Sequence, residues 1–201
     1  MPGSTEVVPQ SDAKQRLLSA TIDYVATHGI TDRSLRQIAT AIGTSHRMLV
    51  YHFGSKDGLL IEVVRAVEAE QRAALEALDA DASLDASEQA SRLAKRLTDP
   101  RLRRNERLFF ELYAQALQGR GPAADLLPEL VHSWLGPLRA VSVRLGVPEA
   151  DADAHGRLML AVARGLLLDL VGTGQRKAVD RAMELFQSMT GSYVAQLSSR
   201  P

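Results

Sequence analysis

The chain contains no cysteine. That absence excludes a disulfide framework and a thiolate zinc site, and it makes the cytoplasm the natural compartment. Net charge is absent as well: 24 Lys and Arg balance 24 Asp and Glu, so the global charge carries no nucleic-acid signal. The most apolar run, Leu158 to Val171, is interrupted by Arg164 and Asp169 and is too short to span a bilayer, so no membrane partner is expected. The first residues, MPGSTEVVPQS, lack a basic segment followed by an apolar one, and residues 1–10 read as a disordered arm. There is no Gly-rich phosphate loop, no HExxH, and no i, i+3 or i+4 pairing among His28, His46, His52, His132 and His155. Neither enzymatic chemistry nor a cofactor or metal is therefore expected. Strand alternation, internal repeats and low-complexity tracts are missing too.

What is present is helix. With 201 residues, 45% hydrophobic and 24% charged, the chain has the make-up of an ordinary globular protein holding one core, or a small domain plus a larger one. A first helix runs from about Asp12 to His28, with Leu18, Ile22 and Val25 inward. Ser34 with Gln37 three residues on forms a capping box that opens a second helix. Ser55 is an N-cap for a long helix reaching about Leu78. Residues 79–87 read as a connection, followed by helix over about 86–97, stopped by Asp99-Pro100. Further helices are expected over Asn105 to Leu117, Ala123 to Leu145, Ala150 to Val171 and Gln175 to Leu197. Pro137 should kink or split the second of these.

The most informative stretch is Leu35 to Lys56, LRQIATAIGTSHRMLVYHFGSK. Leu35, Ile38, Ala39 and Ile42 mark the stripe of a short amphipathic helix, and Gly43 is the residue that takes positive φ at its end. A second short helix then runs from about Ser45 to Phe53, with Leu49 and Phe53 inward. Arg47 and Tyr51 lie opposite, about 200° around the wheel, flanked by His46, Met48, Val50 and His52. This is the pattern of a helix-turn-helix whose second helix presents polar and aromatic side chains to the major groove. Local charge agrees. From residue 14 to 56, Lys14, Arg16, Arg33, Arg36, Arg47 and Lys56 stand against Asp23 and Asp32.

GTSHRMLVYHFGSK resembles the recognition-helix signature of the tetracycline-repressor (TetR) family: a small residue, Ser, a variable tetrad, an aromatic, His-Phe, then Ser-Lys. ATIDYVATHG, Ala20 to Gly29, is similar to the family's first helix, and the likeness continues to Leu59 and Leu60. Beyond it, only length and helical texture agree. Val25, Ile30 and Arg33 depart from the residues usual in the family at packing and capping positions. Val50 stands where many relatives have a tyrosine that touches the DNA backbone.

The resemblance implies an all-α protein. Residues 11–54 would form a three-helix DNA-binding domain, and residues 55–201 a helical effector-binding and dimerisation domain. It also implies a DNA-facing set. Ser34 and Ser45 cap the two helices; Arg36 either bonds a guanine bidentately or holds a phosphate. His46, Arg47 and Met48 contact base edges, with Arg47 the sharpest candidate for guanine. Val50 offers a thymine-methyl contact. Tyr51 and His52 suit phosphate oxygens, His52 being equally suited to a bond within the fold. Lys56 sits at a helix start, an anion site.

In the larger part, Phe109, Phe110, Tyr113, His132, Trp134 and Met159 are the candidates for lining an effector cavity, in a chain that is only 4% aromatic. Each has the plainer reading of a core residue. Arg101, Arg103, Arg104 and Arg107 read as a solvated face or an anion gate. The helix over Leu158 to Val171 is apolar nearly all round, so it is either central to one subunit or covered by a partner. The family's dimers use the last two helices, which singles out Leu158, Val162, Leu166, Leu167, Leu170, Met183, Phe186 and Tyr193. The function so implied is a homodimeric regulator, a repressor released from a palindromic operator in double-stranded DNA by a small apolar or amphipathic effector. The alternative is a helical ligand-binding protein that has lost operator binding.

Overall fold

In the computed structural model, the described residues are 10–28, 33–81, 103–119 and 126–198, with the single positions 83, 88 and 92. Among them there are eight helices and no strands: α1 (Gln10–His28), α2 (Leu35–Ala41), α3 (His46–Phe53), α4 (Lys56–Ala80), α5 (Arg103–Leu117), α6 (Leu126–Arg144), α7 (Glu149–Thr173) and α8 (Arg176–Ser198). Of the arm expected over residues 1–10, Gln10 is the first residue of α1 and the rest lies outside the described residues, as does most of the expected connection and helix over 79–97. None of the helices is long and apolar enough to cross a membrane.

Pro137 does not split α6, which runs unbroken through it. The helix lacks one N–H there, but Leu130 and Leu138 are buried on either side, and that packing holds the segment helical. Pro128, in the first turn, removes an N–H that has no intrahelical partner in any case.

One apolar core joins the two parts of the chain. Leu18 and Val25 of α1, Ile38 of α2, and Leu49 and Phe53 of α3 cluster with Leu59 to Val64 of α4. The same cluster takes in Leu108, Phe109 and Leu112 of α5 and Leu126 and Leu130 of α6. The helix-turn-helix therefore rests on α4 and α5 without an aqueous gap at residue 55. A second, smaller cluster joins Leu75, Leu138 and Leu160, with Trp134 and Met159 packed against it.

The last two helices leave part of their apolar surface uncovered. On α7, Leu158, Ala161, Gly165, Leu168 and Gly172 are all exposed. Their spacing alternates three and four residues, which places them on one side of the helix. On α8, Leu185, Met189 and Tyr193 follow at intervals of four on one outward stripe.

Candidate nucleic-acid interface

The site is assembled by local chemistry. Ser34 Oγ accepts the N–H of Gln37 at 3.3 Å, while Gln37 Oε1 accepts the N–H of Ser34 at 2.8 Å, completing the capping box that starts α2. The helix ends in a turn where Gly43 has φ +72° and Thr44 N–H reaches Ala39 O at 2.9 Å. A β-carbon at that φ is strained, so the sharp turn between the two helices rests on glycine. Ser45 caps α3, its hydroxyl accepting the N–H of Met48 at 3.2 Å.

Leu49 and Phe53 are buried against α2 and α4, and this fixes which way α3 faces. The rest of its surface points outward. His46, Arg47, Met48, Val50 and Tyr51 are exposed, Tyr51 to 64%. Arg36 is exposed on α2. His52 is half-buried against Tyr51 and Phe53, and its Nε2 is buried with no hydrogen-bond partner among the described residues.

Lys56 is the first residue of α4. Ser55 Oγ caps the helix by accepting Gly58 N–H at 3.0 Å, so the amides before it remain at the helix start, where the macrodipole favours an anion. Gly58 was not singled out from sequence. A β-carbon there would lie 2.2 Å from Phe53 O, so its small size is what lets α3 run so close to α4.

The effector candidates are not brought together as one lining. Phe109 is buried and borders a small cavity with Val63, Val64, Val67, Glu68, Glu106 and Leu108. Phe110 meets Phe109 edge to face and Tyr113 meets it at a tilt, with ring centroids 5.2 and 5.6 Å away. Trp134 approaches from α6, its Nε1–H donating to Glu68 Oε2 at 2.5 Å. Met159 belongs to the second core cluster. His132 is exposed and does not border the cavity, because the buried face of α6 is set by Leu126, Leu130 and Leu138. Arg101 lies outside the described residues, and Arg107 is exposed.

Two charged residues missed from sequence line the cavity, Glu68 and Glu106, and Arg164 lies 3.5 Å from Glu68. Burial pushes Glu106 up to about 7, and the charge of Glu68 adds to the shift while Arg164 opposes it. Burial also raises Glu68, against its bonds to Trp134 and Arg164. Some signal was present, since Glu68 occupies the slot one turn after buried Val64, and Arg164 interrupts an apolar run.

The residues singled out for a partner subunit divide by burial. Leu167, Leu170 and Met183 are buried within the subunit, and Val162, Leu166 and Phe186 are half-buried. Leu158 is exposed, and Tyr193 is partly exposed while donating to Asp151 Oδ2 at 2.8 Å. Leu168, Leu185 and Met189, not singled out from sequence, are each more than half exposed.

A helix-turn-helix with a buried inner face and a polar, aromatic outer one, set on a larger helical body, defines a DNA-binding regulator. Residues 17–63 match the model for bacterial regulatory proteins of the tetR family. That match covers the N-terminal domain alone, and the described residues share the all-α fold of TetR regulators of known structure. A TetR-family transcriptional regulator from Streptomyces coelicolor superimposes with a TM-score of 0.73 at 18% identity, over 92% of this chain and 97% of that one. A TetR transcription regulator from Haloarcula marismortui gives 0.70 at 21% identity, over 93% and 98%. A regulator from Saccharomonospora viridis in complex with choline gives 0.70 at 23% identity, over 88% and 96%. No curated protein sequence matches the chain.

Proposed function

We propose that the chain is a homodimeric transcriptional repressor that grips a palindromic operator and releases it when a small molecule binds the larger part. In this reading residues 11–54 hold the DNA and residues 55–201 bind the effector and the second subunit, in the cytoplasm. The observation that carries it is the outward face of α3, where His46, Arg47, Met48, Val50 and Tyr51 are exposed while Leu49 and Phe53 anchor the helix from behind. Arg47 and Arg36 are the base-reading candidates. Ser34, Ser45, Tyr51, His52 and Lys56 position the backbone.

Dimerisation is supported by the exposed seam of Leu158, Ala161, Gly165, Leu168 and Gly172, together with Leu185, Met189 and Tyr193. Two such helix pairs would form a four-helix interface and set the recognition helices about 34–36 Å apart, one turn of DNA. A small-molecule input is supported by the cavity beside Phe109 and by the choline-bound regulator of the same fold. Selecting bound oligonucleotides from a random pool tests the proposal. An inverted repeat is expected, and recovery of no preferred sequence would point to a ligand-binding protein that has lost its operator.

A further inference from the structure

We propose that the cavity between α4 and α5 is an ammonium-binding site, in which the carboxylate of Glu106 pairs with the charged head of an organic amine. The inference rests on the effector-binding reading and gives the effector a chemical class.

The walls are apolar: Val63, Val64 and Val67 from α4, with Leu108 and Phe109 from α5. Two carboxyls interrupt them, and they differ in what they already hold. Glu68 Oε2 accepts the Trp134 indole N–H at 2.5 Å and lies 3.5 Å from Arg164 Nη2. Arg164 is committed elsewhere as well, donating to Leu130 O at 3.0 Å and resting 5.1 Å from the centre of the Phe109 ring. Glu106 is only 8% exposed, borders the cavity, and takes no hydrogen bond from any described residue. Both acids border the cavity, but Glu68 holds the indole and feels Arg72 as well as Arg164, so Glu106 is the carboxyl left without a hydrogen bond.

A buried carboxylate without a partner is costly, and the group either keeps its proton or finds a cation. Glu106 keeps its proton to about pH 7. The charged groups that face it are Glu68 from α4 and Arg164 from α7; α1 and α6, the other helices packed on α5, contribute none among the described residues. An anionic ligand would meet two carboxyls. A metal ion would lack ligands, since no cluster of three or more His, Asp or Glu exists among the described residues. An organic cation satisfies both the unpaired acid and the apolar walls.

The cavity has room for about one water molecule. A larger amine must therefore part α4 from α5. Because α4 starts at the end of α3 and α5 also packs on α1, that parting acts directly on the helix-turn-helix.

The test titrates the full-length protein, free and bound to its selected operator, with n-alkylammonium ions and with the n-alcohols of matching length, reading Trp134 fluorescence. The ammonium ions should bind at least tenfold more tightly than the alcohols. Their affinity should fall about tenfold per pH unit below about pH 7, because Glu106 must lose its proton to pair. Glu106→Gln should remove both the charge preference and the pH dependence. Equal binding of ions and alcohols, an undiminished preference in Glu106→Gln, or no binding by either series overturns the proposal. If neutral or anionic molecules release the operator instead, effector control stands and only the ammonium class falls. Circular dichroism of Glu106→Gln checks its fold, and the pH dependence in the unmodified protein tests the site without any variant.

Discussion

The ammonium of Lys14 lies 3.0 Å from Glu62 Oε2, which ties the first helix to the fourth. The same ammonium rests 5.7 Å from the centre of the Phe53 ring, at the end of the recognition helix. Glu62 also meets Arg65, whose guanidinium holds Glu129 on α6. Burial works to raise Glu62, but Lys14 and Arg65 hold it below the usual carboxylate range. A chain of charges thus runs from the DNA-binding helices to the larger part.

The Lys14–Glu62 pair is partly solvated, so its energy is small. Lys14→Ala should cost about 0.2–1 kcal/mol in urea unfolding, and most of that difference should vanish at high salt. A loss several times larger would mean that the contact with Phe53, rather than the ion pair, carries the effect.

Reading and gripping should separate on α3 and α4. Arg47→Ala should cost roughly 1–3 kcal/mol of operator binding and relax preference at one base pair in each half-site. Lys56→Ala should weaken binding evenly across sequences and lower the salt slope by about one unit per phosphate contact removed. If Arg47→Ala lowers affinity evenly and leaves the preferred sequence unchanged, Arg47 is a backbone anchor and Arg36 or His46 reads the bases.

Neighbouring leucines on α7 should respond differently to arginine. Leu168 is 53% exposed on the outward seam, so Leu168→Arg should give a folded monomer in sedimentation that no longer binds the operator. Leu167 is 8% exposed and faces its own subunit, so Leu167→Arg should unfold the chain, and even Leu167→Ala should cost about 2–5 kcal/mol. A dimer retained by both Leu168→Arg and Leu185→Arg would place the interface elsewhere.

Glu106 should make stability depend on pH. Its folded-state value of about 7 lies above the 4.5 of the exposed group, so the native state binds the proton more tightly. Stability should therefore fall as pH rises from about 4.5 to about 7 and level off above, by up to about 3 kcal/mol. Glu106→Gln should flatten that part of the profile and raise the melting temperature at pH 8. A profile unchanged by the substitution would show that the acid is not buried in solution.

The helix-turn-helix was legible because its determinants are local. The Ser34–Gln37 box, the stripe of Leu35, Ile38 and Ala39, Gly43, and the Ser45 and Ser55 caps all act within a turn or two of themselves. Periodicity cannot choose between two apolar sides of one helix. Leu167 and Leu170 therefore read as surface for a partner, while Leu168 escaped notice. Glu68, Glu106 and Arg164 meet only through the packing of three helices, and no spacing in the sequence announces that encounter. His132 shows the converse: a suitable side chain on the right helix, turned the wrong way.

The unbroken core across residue 55 makes this regulator a poor source of interchangeable parts. Leu18 and Val25 of α1 share one apolar cluster with Leu108, Phe109 and Leu112 of α5, contributed from the other half of the chain. Grafting residues 1–54 onto another regulator's body would set α1 against a surface shaped for different side chains. Exchange between relatives is thus constrained to carry α5 along with the first three helices.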